Sequence, residues 1–273
     1  RVRGNLAIGL GTYMNANYAA EPAVLRHIFE ASGGVKLSRR KNLWLDIGIM
    51  PSHIGFETAM GKDNWTLTRS MVAENSPYFE SGAKLSYTSD NGIFQAALLA
   101  LNGWQRITRL EGNSLLSFGT QIYIKPNDAV SFNYSTFFGA DKPDSARLFR
   151  TYHNIYAVFN LSSAIGLIIG FDIGTEQKNP RSGSVNTWYT PVVMLRYTPD
   201  DCWAFSIRGE YYSDKEGVLI FTGTPNGFRT TGLSFNIDYT PVKQVALRME
   251  SRYFKSRDPI FTKNGIIKNN NTA

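Results

Sequence analysis

Long hydrophobic runs are missing from this 273-residue chain: no stretch approaches the 18 apolar residues of a membrane-crossing helix, and mean hydropathy is −0.24. Cysteine is almost missing as well. The single one, Cys202, excludes an internal disulfide, and beside Pro199-Asp200-Asp201 it reads as a small residue at a turn. Histidine is scarce, and His27, His53 and His153 are scattered without the spacing of a metal site. Acidic clusters with calcium-loop spacing are absent, and Gly9-Leu10-Gly11 sits in a strand-like stretch rather than a phosphate loop, so no metal and no cofactor is expected. His153 beside Asn154 has no marked nucleophile or oxyanion partner; no catalytic residue is assigned, and the chain reads as non-enzymatic. Acid is in deficit, 22 Asp and Glu against 29 Lys and Arg, for a net charge of +7. The bases are spread out, the densest run being Arg39-Arg40-Lys41. That spread argues against a nucleic-acid partner and suits a weak preference for anions inside a pore.

What the chain has instead is a rhythm of connections. Short ones at Ser38 to Asn42, Asp90-Asn91-Gly92, Pro126-Asn127-Asp128, Ser162 to Gly166, Pro199-Asp200-Asp201 and Pro241-Val242-Lys243 alternate with long ones near 15–24, 51–77, 105–113, 139–147, 178–186 and 214–228. Short turns at one end and long loops at the other are the pattern of a transmembrane β-barrel. The segments between them run about 9–13 residues, the length that spans a bilayer at barrel tilt. Such strands hide their membrane face from hydropathy, because only alternate residues are apolar.

The alternation is explicit near the C-terminal end. Trp203, Phe205, Ile207 and Tyr211 oppose Ala204, Ser206, Arg208, Glu210 and Tyr212; Leu233, Phe235, Ile237 and Tyr239 oppose Ser234, Asn236 and Asp238; Val245, Leu247, Met249 and Tyr253 oppose Arg248, Glu250 and Arg252. Folding about 242 is expected to set Tyr239 opposite Val245, Ile237 opposite Leu247 and Phe235 opposite Met249. Folding about 200 sets Tyr197 opposite Trp203, Leu195 opposite Phe205 and Val193 opposite Ile207. A one-residue slip would turn the charged set toward lipid, so the pattern fixes the faces. The strand endings Tyr87-Thr88-Ser89-Asp90, Ile124-Lys125-Pro126-Asn127, Tyr197-Thr198-Pro199-Asp200 and Tyr239-Thr240-Pro241-Val242 are variants of one motif. Each puts an aromatic or aliphatic residue where barrels carry an interfacial girdle.

The fold class expected is therefore all-β: one antiparallel up-and-down transmembrane barrel domain over 1–273, with about 13 strands visible. Closed bacterial barrels have even counts. A returning strand is thus expected to be missing or barely begun at Gly265-Ile266-Ile267-Lys268, for a barrel of at least 14, and the chain reads as a fragment lacking N-terminal and final C-terminal strands. A long loop after the first strand would leave the N-terminal end periplasmic, in a Gram-negative outer membrane.

Met50-Pro51-Ser52-His53-Ile54-Gly55-Phe56-Glu57, Asp63-Asn64-Trp65-Thr66-Leu67-Thr68-Arg69-Ser70 and Asn75-Ser76-Pro77-Tyr78-Phe79-Glu80-Ser81-Gly82 are distinctive. With Leu101-Asn102-Gly103-Trp104-Gln105 and Gly223-Thr224-Pro225-Asn226-Gly227, they resemble the putative β-barrel porin-2 (OmpL-like) family, common in Bacteroidota. The resemblance covers essentially the whole chain. It implies an outer-membrane porin whose full-length members have further strands at both ends, so that a barrel of about 14–16 strands is expected.

Candidate site residues follow from the longest connection, 51–77, which exceeds the ~12–15 residues beyond which a loop is usually functional or disordered. His53, Glu57, Lys62, Asp63, Trp65 and Arg69 would line a pore constriction, with Arg69 against Glu57 or Asp63 setting a transverse field. The alternative is a loop packed on the rim, with Arg69 in a structural salt bridge. The lumen-facing charges expected from the alternation are Asp46, Glu80, Lys84, Asp172, Arg196, Arg208, Glu210, Asp238, Arg248, Glu250 and Arg252. The row Arg248, Glu250, Arg252 reads more as wall stiffening than as a binding site. The functional expectation is passive diffusion of small hydrophilic solutes or ions through a polar lumen, with outer-membrane lipid, and a homo-oligomer or outer-membrane protein partners, around it. The alternative is a plugged assembly barrel that binds partner proteins.

Overall fold

The computed structural model describes residues 1–263 and 265–272. Among them, thirteen long strands run antiparallel in sequence order: β1 (Val2–Ile8), β2 (Ile28–Lys36), β3 (Asn42–Pro51), β4 (Phe79–Thr88), β5 (Phe94–Leu101), β6 (Ser117–Asn127), β7 (Val130–Gly139), β8 (Arg150–Asn160), β9 (Ile165–Gln177), β10 (Val185–Tyr197), β11 (Trp203–Asp214), β12 (Phe228–Val242) and β13 (Val245–Ser256). Three short strands follow, β14 (Phe261–Lys263), β15 (Ile266–Lys268) and β16 (Asn270–Thr272). Two short helices lie in long connections, α1 (Thr12–Asn17) and α2 (Met71–Glu74).

The short turns close on their own side chains. Asp200 Oδ1 accepts the N–H groups of Cys202 and Trp203 at 2.8 and 2.9 Å. Asn127 Oδ1 does the same for Ala129 and Val130, Ser162 Oγ for Ala164 and Ile165, and Ser38 Oγ for Arg40 and Lys41. Ser, Asn and Asp favour turns because they can supply these acceptors locally. Aromatic pairs bridge neighbouring strands at the same end: Trp203 stacks on Tyr239 at 4.4 Å between ring centres, and Phe132 meets Phe159 edge-on at 6.1 Å.

Burial is inverted relative to a water-soluble protein. Leu195, Ile207, Leu233, Phe235, Leu247 and Met249 are exposed, whereas Ser206, Arg208, Ser234 and Asn236 are buried. The apolar face is the membrane face, and a one-residue slip would carry Arg208 or Arg248 into lipid at about 2–4 kcal/mol each near the midplane.

Both C-terminal hairpins keep the expected faces but differ in register by two residues. Tyr197 pairs with Phe205, Leu195 with Ile207 and Val193 with Gly209, because the connection spans 198–202 rather than three residues. Tyr239 pairs with Leu247, Ile237 with Met249 and Phe235 with Ser251; the turn is centred on Lys243 and Gln244, and an irregularity between Tyr239 and Val242 absorbs the odd residue. A slip of two preserves the side-chain period, so alternation alone could not detect it. The segment at 265–268 is also not the returning strand. Ile266–Lys268 folds back on Phe261–Lys263, and it is Asn270–Thr272 that pairs with β13, at Tyr253–Lys255. Among the described residues no ladder joins β1 to β13 or β16.

Candidate functional site

The connection between β3 and β4 folds to the inner side of the curved sheet, and its contacts begin at His53. The ring Nδ1 lies 2.7 Å from Glu80 Oε2 and Nε2 lies 2.8 Å from the Thr136 carbonyl. The His53 carbonyl in turn accepts from Ser135 Oγ at 2.7 Å and from Gln121 Nε2 at 3.1 Å. Two residues on, the Gly55 N–H donates to Asn154 Oδ1 at 3.1 Å, and Asn154 Nδ2 donates to Asp172 Oδ1 at 2.6 Å. The loop is thus bonded to β4, β6, β7 and β8 within its first four residues.

Its far limb is held by arginines of β11 and β13. Arg208, fully buried, donates to Thr66 Oγ1 at 2.5 Å, the Thr68 carbonyl at 2.7 Å and Glu250 Oε1 at 3.0 Å. Its guanidinium also lies 3.3 Å from Glu210 Oε1 and 3.8 Å from Glu57 Oε1. Arg248 grips Asp238 through Nε at 2.7 Å and reaches the Gly61 and Asn64 carbonyls at 2.5 and 2.8 Å. Arg252 donates to Glu210 Oε1 at 2.7 Å, and Glu210 Oε2 accepts the Met71 N–H at the start of α2. The Leu67 N–H donates to Asn236 Oδ1, and the Thr68 N–H to Glu250 Oε2. Planar guanidinium forks suit such multiple acceptors, and a buried arginine is tolerable only when so satisfied. The row Arg248, Glu250, Arg252 therefore anchors the loop as well as stiffening the wall.

Glycine makes the room. On β9, Gly166, Gly170 and Gly174 recur every four residues on the inner face; a Cβ would strike Trp65 of the loop at the first, Val192 of β10 and Phe56 of the loop at the second, and Trp188 of β10 at the third. This periodicity was present in the sequence, and at Gly166 and Gly170 it is the signal that could have located the loop's seat. Replacing Gly170 by leucine is expected to expel Phe56 and loosen the loop, read as accelerated proteolysis within 52–77 with the strands intact; unchanged protection would mean the glycine is incidental.

Other expected residues lie elsewhere. Arg69 meets neither Glu57 nor Asp63; its Nε donates to Glu74 at 3.1 Å and its guanidinium stacks 3.8 Å over Tyr78, because α2 folds Glu74 back toward it. Glu57 instead accepts from the Ser70 N–H at 3.0 Å and from the Ser70 hydroxyl. Lys62 and Asp63 pair with each other at 3.0 Å on an exposed turn. Asp46 pairs with Arg3 at 2.5 Å across Gly34, whose missing side chain leaves the passage. Arg196 is 3.5 Å from Asp238, and Lys84 lies opposite Asp46 in register without a carboxylate within 4.0 Å among the described residues. Sequence reasoning did not single out Arg3, or Arg150, which holds Glu176 at 2.6 Å and Asp141 at 3.2 Å.

Toward the long connections the interior is apolar. Leu99, Leu101, Phe137, Tyr152, Trp188 and Tyr212 form one cluster beneath the 215–227 loop. Asp214 ties that loop down by accepting the N–H groups of Val218, Leu219 and Ile220 at 2.9, 2.7 and 2.9 Å.

Two loop groups respond to pH in the same direction. Both ring nitrogens of His53 face acceptors, which only the doubly protonated ring satisfies. Burial disfavours that charge, but the Glu80 carboxylate and the Thr136 carbonyl outweigh it and raise the pKa above 6.5. Burial also raises the pKa of Glu57, against the pull of Arg208 and Ser70. The His53 contribution to docking is complete below the free ring's 6.5 and fades as pH climbs through the raised value; Glu57, more easily protonated when docked, also favours the acid side. Loop protection from protease is expected to fall as pH rises above the free ring's 6.5, and a flat profile would count against His53 as an anchor.

The family model described as "Putative beta-barrel porin-2, OmpL-like" matches residues 1–273. No curated protein matches the chain. Among solved structures, the anion-selective porin from Comamonas acidovorans is 11% identical with a TM-score of 0.56, covering 84% of this chain and 78% of that one. OmpT of Vibrio cholerae, folded in vitro in its trimer form, is 12% identical with a TM-score of 0.55, covering 88% and 74%. The outer membrane channel DcaP of Acinetobacter baumannii is 12% identical with a TM-score of 0.51, covering 83% and 74%. At these identities the likeness is one of fold.

Proposed function

The chain belongs to the putative beta-barrel porin-2, OmpL-like family, and on that premise we propose a passive diffusion channel whose bore is set by the loop spanning 52–78. It is an outer-membrane β-barrel of the porin class, with lipid at its apolar face and small hydrophilic solutes or ions as its cargo. The observation that carries the constriction role is the loop's double anchoring, through His53 and Gly55 on β4 to β8 and through Thr66, Leu67 and Thr68 on β11 to β13. A segment tied at one limb to β4–β8 and at the other to β11–β13 spans the inner face between them, which supports the constriction reading. Loop fields and lumen charges then tune what passes. The N-terminal end is read as periplasmic, because the short turns lie at that end of β2 onward and bacterial barrels keep their short turns there. Assembly as a homo-oligomer through the apolar face belongs to the same reading.

The test is single-channel recording of the full-length protein in a planar bilayer. Steady ohmic openings are expected. A barrel verified as inserted but silent, and co-purifying with a partner protein, would favour the assembly role, to which an interior filled by loop and apolar cluster is also suited.

A further inference from the structure

The lumen is filled unevenly, and the charges bordering its two larger cavities beside the loop are of one sign. The β11–β13 side is occupied by the arginine-held limb of the loop, and the interior near the long connections by the apolar cluster. Two cavities remain beside the loop. One, of ≈ 330 Å³, lies toward the long connections and is bordered by Glu30, Pro51 and Tyr78; the other, of ≈ 210 Å³, lies toward the short turns and is bordered by Tyr123, Ser131 and Val158. Phe56, Glu57, Asp63 and Tyr156 border both, with Phe56 and Tyr156 edge-on at 5.6 Å.

Among the described residues no lysine or arginine borders either cavity, although the chain as a whole carries a charge of +7. The inner-wall cations are committed elsewhere. Arg3, Arg150, Arg208, Arg248 and Arg252 are each within 4.0 Å of a carboxylate. Arg196 borders a separate, smaller cavity of ≈ 140 Å³ at the short turns and is itself 3.5 Å from Asp238. Lys84 borders none of the three, and Lys62, paired to Asp63, borders neither of the larger two. The Glu30 carboxylate, by contrast, accepts a single hydrogen bond among the described residues, from Asn5 Nδ2 at 3.0 Å, and borders the larger cavity.

We propose that solutes pass along the β2–β8 side of the loop through these two cavities, past the Phe56–Tyr156 contact, and that this route admits cations and excludes anions. This rests on the diffusion-channel reading above. Carboxylate-lined constrictions favour cations because the passing ion exchanges part of its hydration for fixed negative charge, while an anion meets repulsion at the same point. Net charge says little here, since the surplus bases lie away from the route. The aromatic rings of Phe56 and Tyr156 set the width and offer faces that also suit a cation.

The experiment is the reversal potential of the full-length protein in a planar bilayer under a KCl gradient. Wild type is expected to prefer potassium over chloride. Glu30→Gln combined with Asp63→Asn, at two positions with few structural bonds, is expected to lower the permeability ratio by about five-fold per charge removed from close range, with conductance retained. Glu30→Lys should lower it further. Tyr156→Ala should raise conductance with little change in ion preference. Chloride preference in wild type, or an unmoved ratio in the double variant, would overturn the route. A silent inserted barrel would overturn the channel reading and this inference with it, so the two failures are distinguishable.

Discussion

Excising residues 56–72 and joining the ends with a short Gly-Ser linker is expected to raise single-channel conductance by roughly three- to ten-fold, because an unobstructed lumen of a large barrel is a water-filled channel. The strand ladders flanking the excision, β3 with β4 at Met50–Glu80 and Pro51–Phe79, do not depend on the removed segment. Glu210, Asn236 and Glu250 would regain water in place of loop donors, and Asp172 keeps its wall donor Asn154, so the barrel should still fold. Conductance equal to wild type would refute the constriction role, whatever the loop's other duties.

The second large effect concerns one side chain. Arg208→Met is expected to cost about 3–5 kcal/mol, the usual consequence of removing one partner from a buried ionic group. Glu57, Glu210 and Glu250 all lie within 4.0 Å of this guanidinium and have side chains at most 2% exposed. Without it, the Thr66 hydroxyl oxygen loses its donor and the Thr68 carbonyl keeps only the Thr66 hydroxyl. Arg208→Lys should fall between, since an ammonium keeps the charge but not the planar fork. Thermal unfolding of the detergent-folded barrel reads the stability, and conductance reads the release of the loop. Adding Glu57→Gln and Glu250→Gln to Arg208→Met should recover part of the loss. If Arg208→Met matches wild type in both measurements, the arginine centre does not hold the loop.

Much of the wall was legible in the sequence, because a strand's contribution is local. Trp203 through Tyr212 announces its two faces by alternation, and Ser162, Asn127 and Asp200 announce the turns they close. Register was less legible. Alternation is blind to a shift of two, and only the number of residues in the 198–202 connection decides whether Tyr197 meets Trp203 or Phe205. The loop's partners were least legible. Arg69 had three acids nearby in sequence, Glu57, Asp63 and Glu74, and α2 brings it the last of them, while Glu57 is claimed by Ser70 and by an arginine more than a hundred residues away. Nothing local in the chain encodes that competition. The Gly166, Gly170, Gly174 spacing came nearest, as a mark of where something bulky must fit.

The distance in sequence between the loop and its anchors has a bearing on how the molecule is built. Gly55 reaches Asn154, 99 residues on, whereas Thr68 reaches Glu250, 182 residues on. Contacts of such separation form late, since the ends of a long chain segment must first be brought together. The seat for the near limb exists once β8 is in place, but the seat for the far limb is incomplete until β13 has joined the sheet. A segment lying in the first third of the chain is therefore the last to reach its final position, and the interior is occupied only after the wall that encloses it has been assembled.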